Sequence, residues 1–279
     1  MPIKKDDSGR RYVEVEVEVP GTPEQVWEAI ASGPGISSWF VPTTVEKDAD
    51  GKPVRFLASF GPGMDSVSRV TSWNPPHKLA AESEDLGPGA PPIATEWIVE
   101  ARGGGTCVVR VVHSLFASTD DWDNQLEGVE GGWPAFFRLL RIYLAHFAGQ
   151  PSAAFQLTGW GPEPKSAAWA ALMGSLGLPG KAVGEKATAS TTAPPLAGTV
   201  ERVGEELWPE ELILLLEQPT PGIAHFFAMP MGGQILLSVR IYLYGPQSDA
   251  AAKRDEPVWQ AWISKHFPAT GGGAGPCGP

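Results

Sequence analysis

The sequence predicts an α+β architecture: a curved antiparallel sheet wrapped around one long C-terminal helix, built in tandem. Three observations carry this expectation. The stretch Tyr12 to Pro20 alternates strictly between Val and Glu, as a half-buried strand does. Hairpin and turn signals follow in close succession up to Phe116. The stretch Gly132 to Phe147 then sets Trp133, Phe136, Phe137, Leu140, Ile142, Tyr143, Leu144 and Phe147 mostly three, four and seven residues apart, which makes one broad apolar helical face. Five of its side chains are aromatic, and rings of that size call for a large concave surface.

Taken in order, the Val/Glu strand must keep its Glu face in water, so the sheet is covered on one side only. Gly21-Thr22-Pro23-Glu24 opens a helix, with Thr22 as N-cap and Pro23 at the first helical position. Val26, Trp27, Ala29 and Ile30 continue it, and Gly33-Pro34-Gly35 ends it. Ile36 to Phe40 reads as a second short helix, stopped by Pro42. Strands are expected over 43–47, 53–60, 66–73, 78–83, 94–101 and 106–116. The turns are Asp48-Ala49-Asp50-Gly51, Asn74-Pro75-Pro76 and Arg102-Gly103-Gly104-Gly105. Residues 118–130 read as an acidic loop, Pro134 falls in the first turn of the long helix, and Gly149 and Pro151 close it.

After Gln150 the pattern starts again. Ser152 to Trp160 reads as a strand and Ser166 to Leu176 as a helix, whose Trp169-Ala-Ala-Leu172 matches Trp27-Glu-Ala-Ile30. Val200-Glu-Arg-Val203 matches Val67-Ser-Arg-Val70, and Val239-Arg-Ile241 matches Val109-Arg-Val111. These two motifs stand 42 residues apart in the first half (67 to 109) and 39 in the second (200 to 239). Glu256 to Phe267, opened by Pro257, reads as a shorter closing helix. The period is a domain of about 140 residues rather than a solenoid module. The expected domains are 10–149 and a degenerate second copy over 152–268; 180–195 reads as loop and 269–279 as a disordered Gly/Pro tail.

Composition excludes several classes. A net charge of -11 and pI of about 4.9 argue against nucleic acid and anionic membrane surfaces as partners. Cys107 and Cys277, the two cysteines, form no disulfide framework or metal spacing. Nothing resembles a signal peptide, and the longest apolar run, Leu212 to Leu216, has strand length, so the expected compartment is the cytoplasm. The chain carries no G-x-S-x-G, H-E-x-x-H, phosphate-loop or dinucleotide signature, so no catalytic group or cofactor is expected from motifs. Asp120-Asp121-Trp122-Asp123 offers too few converging oxygens for a cation and reads as solvated loop.

Five segments carry a resemblance to a known family: V-E-V-x-V-P-G-T-P-E-Q-V-W-E-A-I (15–30), G-x-x-x-W-F (35–40), R-V-T-S-W-N-P-P-H-K-L (69–79), G-G-G-T-C-V-V-R-V-V-H-S-L-F (103–116) and G-W-P-A-F-F-R-L-L-R-I-Y-L (132–144). Residues 10–149 resemble the SRPBCC superfamily, also called START-like or Bet v 1-like, and within it the branch named after the activator of Hsp90 ATPase homologue. The second half resembles it more faintly, lacking a G-W before its last helix and a P-x-x-V-W near its start. The resemblance implies a helix-grip cavity for apolar small molecules. It leaves function open, because the superfamily holds lipid carriers, hormone receptors and aromatase/cyclases.

The candidate cavity residues are Trp39, Phe56, Trp73, Trp97, His113 and Phe137, each of which could equally be plain core. His113 shares a strand face with Cys107, Val109 and Val111, and on an inner face it would serve as acid, base or ligand hydrogen-bonding group. Arg69 alternates with Val67, Thr71 and Trp73; turned inward it would anchor a carboxylate or phosphate, and Arg202 repeats it. His225 and His266 have no evident partner, His77 sits in a turn, and His146 suits a helix C-terminus. The first functional reading is a non-catalytic binder of an apolar small molecule. The competitors are an aromatase/cyclase-like enzyme using His113 and Arg69, and a chaperone-associated or other protein-interaction factor.

Overall fold

A computed structural model describes residues 4–5, 11–61, 65–84, 93–115, 123–206 and 208–269, with side chains omitted at Lys5 and over 115–132. The chain divides into two compact units between Ala148 and Gly149. Each is an α+β unit with one antiparallel sheet.

In the first unit the elements run β1 (Lys4–Lys5), β2 (Arg11–Pro20), α1 (Pro23–Ala31), α2 (Gly33–Ser37), β3 (Thr43–Lys47), β4 (Pro53–Ser59), β5 (Asp65–Asn74), β6 (Lys78–Glu84), β7 (Ile93–Arg102), β8 (Thr106–Leu115) and α3 (Asp123–His146). The sheet order is β1-β2-β8-β7-β6-β5-β4-β3, so the last strand closes back onto β2. Val13, Val15, Val17 and Val19 pair with His113, Val111, Val109 and Cys107, and this face looks inward. On the outer face Arg110 reaches Glu16 (3.4 Å) and Glu14 (3.8 Å). α3 lies along β2 rather than across the middle of the sheet.

The caps explain the short helices. Thr22 Oγ1 accepts from the Gln25 amide, and Gln25 Oε1 accepts from the Thr22 amide. α1 ends before Gly33-Pro34-Gly35 as expected, but α2 starts at Gly33 rather than Ile36, because Ser32 Oγ accepts from the Gly35 amide (2.9 Å) and Pro34 sits in the first turn. The long helix also begins earlier than the sequence suggests, at Asp123, so part of the expected acidic loop is helical and Pro134 is interior. Asp120 to Trp122 lie outside the described residues.

The second unit contains β9 (Ser152–Gly161), α4 (Lys165–Leu176), β10 (Lys186–Thr188), β11 (Ala197–Glu205), β12 (Trp208–Gln218), β13 (Gly222–Met231), β14 (Gln234–Tyr244) and α5 (Ser248–His266). Its sheet order, β10-β11-β12-β13-β14-β9, also closes the last strand onto the first. The two V-x-R-V motifs fall on β5 and β11, each the fourth strand back from the closing helix. Two expectations need correction, and one strand was not anticipated. The 180–195 stretch is not all loop, since β10 pairs with β11. β13, with no turn signal recognised before it, is a full strand. α5 starts at Ser248, which puts Pro257 inside it.

The helices and sheet of this unit pack closely on one another. Leu172 and Leu176 from α4, Trp259 and Ile263 from α5, and Leu214, Phe226 and Leu237 from the sheet form one buried cluster. Two glycines of β9 permit that closeness. A Cβ on Gly159 would stand 2.7 Å from Phe267 Cβ, and one on Gly161 would stand 2.6 Å from Ala168 Cβ. Gly159→Ala is therefore expected to lower stability by about 1–3 kcal/mol, by overpacking. Urea unfolding of the full chain measures it, and an unchanged midpoint for the second unit would contradict such close packing.

Candidate functional site

The first unit differs in its interior. With α3 held on β2, a cavity of about 350 Å³ remains between α3 and the inner face of β4 to β8. Its apolar walls are rings. Trp39 and Phe40 enter after α2, Phe56 and Phe60 from β4 and its end, Trp97 from β7, and Trp133 and Phe136 from α3. They brace one another edge to face: Phe40–Phe136 at 4.5 Å, Trp97–Trp133 at 5.2 Å and Trp39–Trp97 at 6.2 Å between centroids. Trp39 Nε1 donates to the Ala29 carbonyl (2.9 Å), so its indole has no polar group to offer a ligand.

The polar lining is short and lies along one end of the sheet. Thr43 comes from the start of β3, Ser66 and Ser68 from the start of β5, Ser83 from the end of β6, Thr95 from the start of β7 and His113 from the end of β8. Thr95 and His113 are direct cross-strand partners, with Thr95 Oγ1 3.0 Å from His113 Nδ1. The imidazole stacks on Trp133 at 5.3 Å. His113 is 8% exposed, and its Nε2 has no hydrogen-bond partner among the described residues. Burial pushes its pKa down to about 4, so the ring is neutral at pH 7.

The structure sorts the sequence candidates. Trp39, Phe56, Trp97 and His113 line the cavity. Phe137 does not; it packs behind the wall, 5.3 Å from Trp133 and 6.4 Å from Trp97. Trp73 also lies outside, 5.1 Å from Trp27 on α1. Arg69 is turned outward, with 57% of its side chain exposed, and pairs with Glu82 (3.0 Å) and Glu84 (4.0 Å). Two features hid this. A register shift between Val70 and Ser72 breaks the alternation that links Arg69 to Trp73. The inward positions of β5 are serines, so polarity misreports the face. Phe40, Phe60, Trp133, Phe136 and Thr95 were not singled out. The alternating series Phe56-Ala58-Phe60 and Ile93-Thr95-Trp97 held the signal for two of them, Phe60 and Thr95.

In the second unit Arg202 does not enter the core either. Its Nε donates to Glu211 (2.6 Å), and the other Glu211 oxygen meets His225 Nε2 (3.0 Å). All three stand on the face opposite Leu212, Leu214 and Phe226. Burial opposes charge on Glu211, yet hydrogen bonds and charge from His225 and Arg202 prevail and hold its carboxyl below the ordinary range. His225 thus has a partner, as does His266, whose Nδ1 lies 2.8 Å from the Trp262 carbonyl. Among the described residues no three His, Cys, Asp or Glu side chains converge as a metal site, and no helix is long and apolar enough to cross a membrane.

The His113 shift has a measurable consequence. The unfolded chain takes up a proton near pH 6.5 that the folded ring refuses until about 4. Stability therefore falls as pH drops through this window and levels off below it, by about 3 kcal/mol for this group. His113→Gln should flatten the acid limb of the stability profile by that amount relative to wild type. Parallel profiles for the two proteins would contradict a buried neutral ring.

Comparison with known proteins adds the following. Residues 10–138, just under half of the chain, match a family model described as "Polyketide cyclase / dehydrase and lipid transport". No curated protein matches the sequence. Among solved structures, the chain is similar to CalU16 from Micromonospora echinospora (16% identity, 52% of this chain and 83% of that one, TM-score 0.40). It is also similar to DynU16 of the dynemicin biosynthetic locus (19% identity, 91% and 96%, TM-score 0.40). A third is the di-domain ARO/CYC BexL of the BE-7585A biosynthetic pathway (14% identity, 93% and 99%, TM-score 0.44). The match to the polyketide cyclase/dehydrase and lipid transport model thus falls within the first unit, the one that holds the cavity.

Proposed function

We propose that residues 10–149 form an SRPBCC-type domain that binds an apolar, ring-containing small molecule, and that residues 152–268 are a degenerate second copy serving as scaffold. The observation that carries the reading is the 350 Å³ cavity walled by Trp39, Trp97, Trp133 and Phe136. Apolar cavities of this size, with a few polar groups at one end, are where small molecules bind. The close-packed core of the second unit supports one site per chain.

An aromatase/cyclase-like reaction is the second reading, favoured by His113, which lines the cavity and whose Nε2 has no hydrogen-bond partner among the described residues. A ring that holds its proton only below pH of about 4 is a weak base at neutral pH, whereas general bases work best with a pKa near the operating pH. Arg69, the other polar candidate, is outside. Binding without turnover therefore has the stronger support. A chaperone-associated role would call for an exposed apolar patch, and the large exposed hydrophobic residues described are Val183 and Val258, scattered in the second unit.

The test is a titration of the full chain with naphthalene, read by tryptophan fluorescence, beside an Ala81→Trp variant. Ala81 lines the cavity from β6, and an indole there would occupy it. The expected result is saturation at one naphthalene per chain, abolished in the variant while its circular dichroism stays native. Absence of saturable binding, or binding untouched by Ala81→Trp, would overturn the reading.

A further inference from the structure

The hydroxyl groups of the cavity divide into those the fold has used and those it has not. Thr43 Oγ1 donates to the Val41 carbonyl (2.9 Å), and Thr95 Oγ1 is engaged by His113 Nδ1 (3.0 Å). Ser66 and Ser68 differ. Both line the cavity, both are half-buried, and neither makes a hydrogen bond among the described residues. Resting on the reading that this cavity binds a ring-containing molecule, we propose that Ser66, Ser68 and Ser83 form a hydroxyl edge that selects ligands carrying an uncharged, hydrogen-bond-accepting oxygen, with Ser68 and Ser83 meeting that oxygen.

The sheet register brings these hydroxyls together. Ser68 on β5 and Ser83 on β6 are direct cross-strand partners, and both line the cavity. Their Cβ atoms therefore stand about 5 Å apart, close enough for one ligand oxygen to meet both hydroxyls. Ser66 is the next inward position of β5, roughly 6.7 Å along the strand, opposite Ala58. Ser83 Oγ accepts from the Ile93 amide (2.8 Å), which leaves its own proton to donate. Phe56 is the β4 partner of Ser68, so the hydroxyl edge borders the ring wall directly.

The two free hydroxyls do nothing for packing. Where α3 lies against β2, the inward positions are Val; on β5 two consecutive inward positions are Ser. An apolar ligand would strip these serines of water and leave them unpaired, whereas a ligand oxygen satisfies them. The wall also argues that this oxygen is uncharged. No Lys, Arg, Asp or Glu is among the described residues that line the cavity, and His113 is neutral at pH 7. A carboxylate enclosed by this wall would be desolvated with no counter-charge on it.

The experiment is isothermal titration of the full chain with indane and 1-indanone, which share one carbon skeleton and differ by a single ketone oxygen. Wild type is expected to bind both, and Ala81→Trp neither. Ser66→Ala/Ser68→Ala removes both free hydroxyls. It should weaken 1-indanone about tenfold, because the enclosed ketone is left short of a donor, and bind indane as tightly as wild type or more so. Its melting temperature should match wild type, since neither hydroxyl is spent in the fold. Ser83→Ala should weaken 1-indanone alone and also lower the melting temperature, because the Ile93 amide loses its acceptor. An unchanged ratio of the two affinities in Ser66→Ala/Ser68→Ala, a melting temperature several degrees lower in that variant, or a wild type that binds indane and not 1-indanone would overturn this inference and leave the cavity reading intact. Failure of wild type to bind either probe, or binding that survives Ala81→Trp, would overturn the cavity reading and this inference together.

Discussion

One helix about 10 Å across cannot cover eight strands spaced about 4.8 Å apart, a sheet roughly 34 Å wide. The first unit meets this constraint by seating α3 on β2 and curling the remaining strands toward it. The gap over β4 to β8 is too wide for aliphatic side chains to close, and rings reach into it from the segment after α2 and from α3, β4 and β7 without filling it. The second unit has six strands and answers the same constraint by bringing a second helix down. α4 packs over β12, β13 and β14, and α5 over β9 and β14, which brings helices and sheet into one buried cluster. Gly159 and Gly161 are the local cost of that closure, since any larger residue would hold the helices off. The contrast between an open and a closed grip thus follows from strand number and helix placement.

A cavity wall obeys a different rule from a packed core. In β2 the inner face is Val and the outer face Glu, because α3 lies directly against it. In β5 the inner positions are Ser66 and Ser68 and the outer ones include Val67. A side chain that borders a hollow need not be apolar, and one that faces its own edge of the sheet need not be polar. The outer side of this region is organised by charge instead, with Arg55 and Arg69 side by side and ion-paired to Glu46, Glu82 and Glu84 across four strands. Exposed pairs of this kind add little stability singly, but they fix which way the strands face.

These differences explain what could be read in the sequence. Strands with one packed face, such as β2 and β8, were legible by alternation, and so were the Thr22 cap and the turns at Asp48 and Gly103. His113 was placed on its face correctly because β8 is regular from Cys107 onward. Arg69 was not, because the irregularity in β5 and the inward serines are invisible to a polarity pattern. Both closing helices start upstream of the prolines that looked like their first residues, since the cost of an interior proline is met by tertiary packing further along. On α3 the distinction between Phe136, which faces the cavity, and Phe137, which backs it, is a rotation of one residue that periodicity does not resolve.

The account rests on the space beside Trp133 being open rather than closed by side-chain rearrangement. A crystal structure of the full chain under xenon pressure tests this most directly, because xenon enters dry apolar cavities. The prediction is density between Trp97, Trp133 and Phe136 in the first unit and none inside the second. Rings collapsed into that space with no bound xenon, or xenon seated in the core around Trp259, would contradict it.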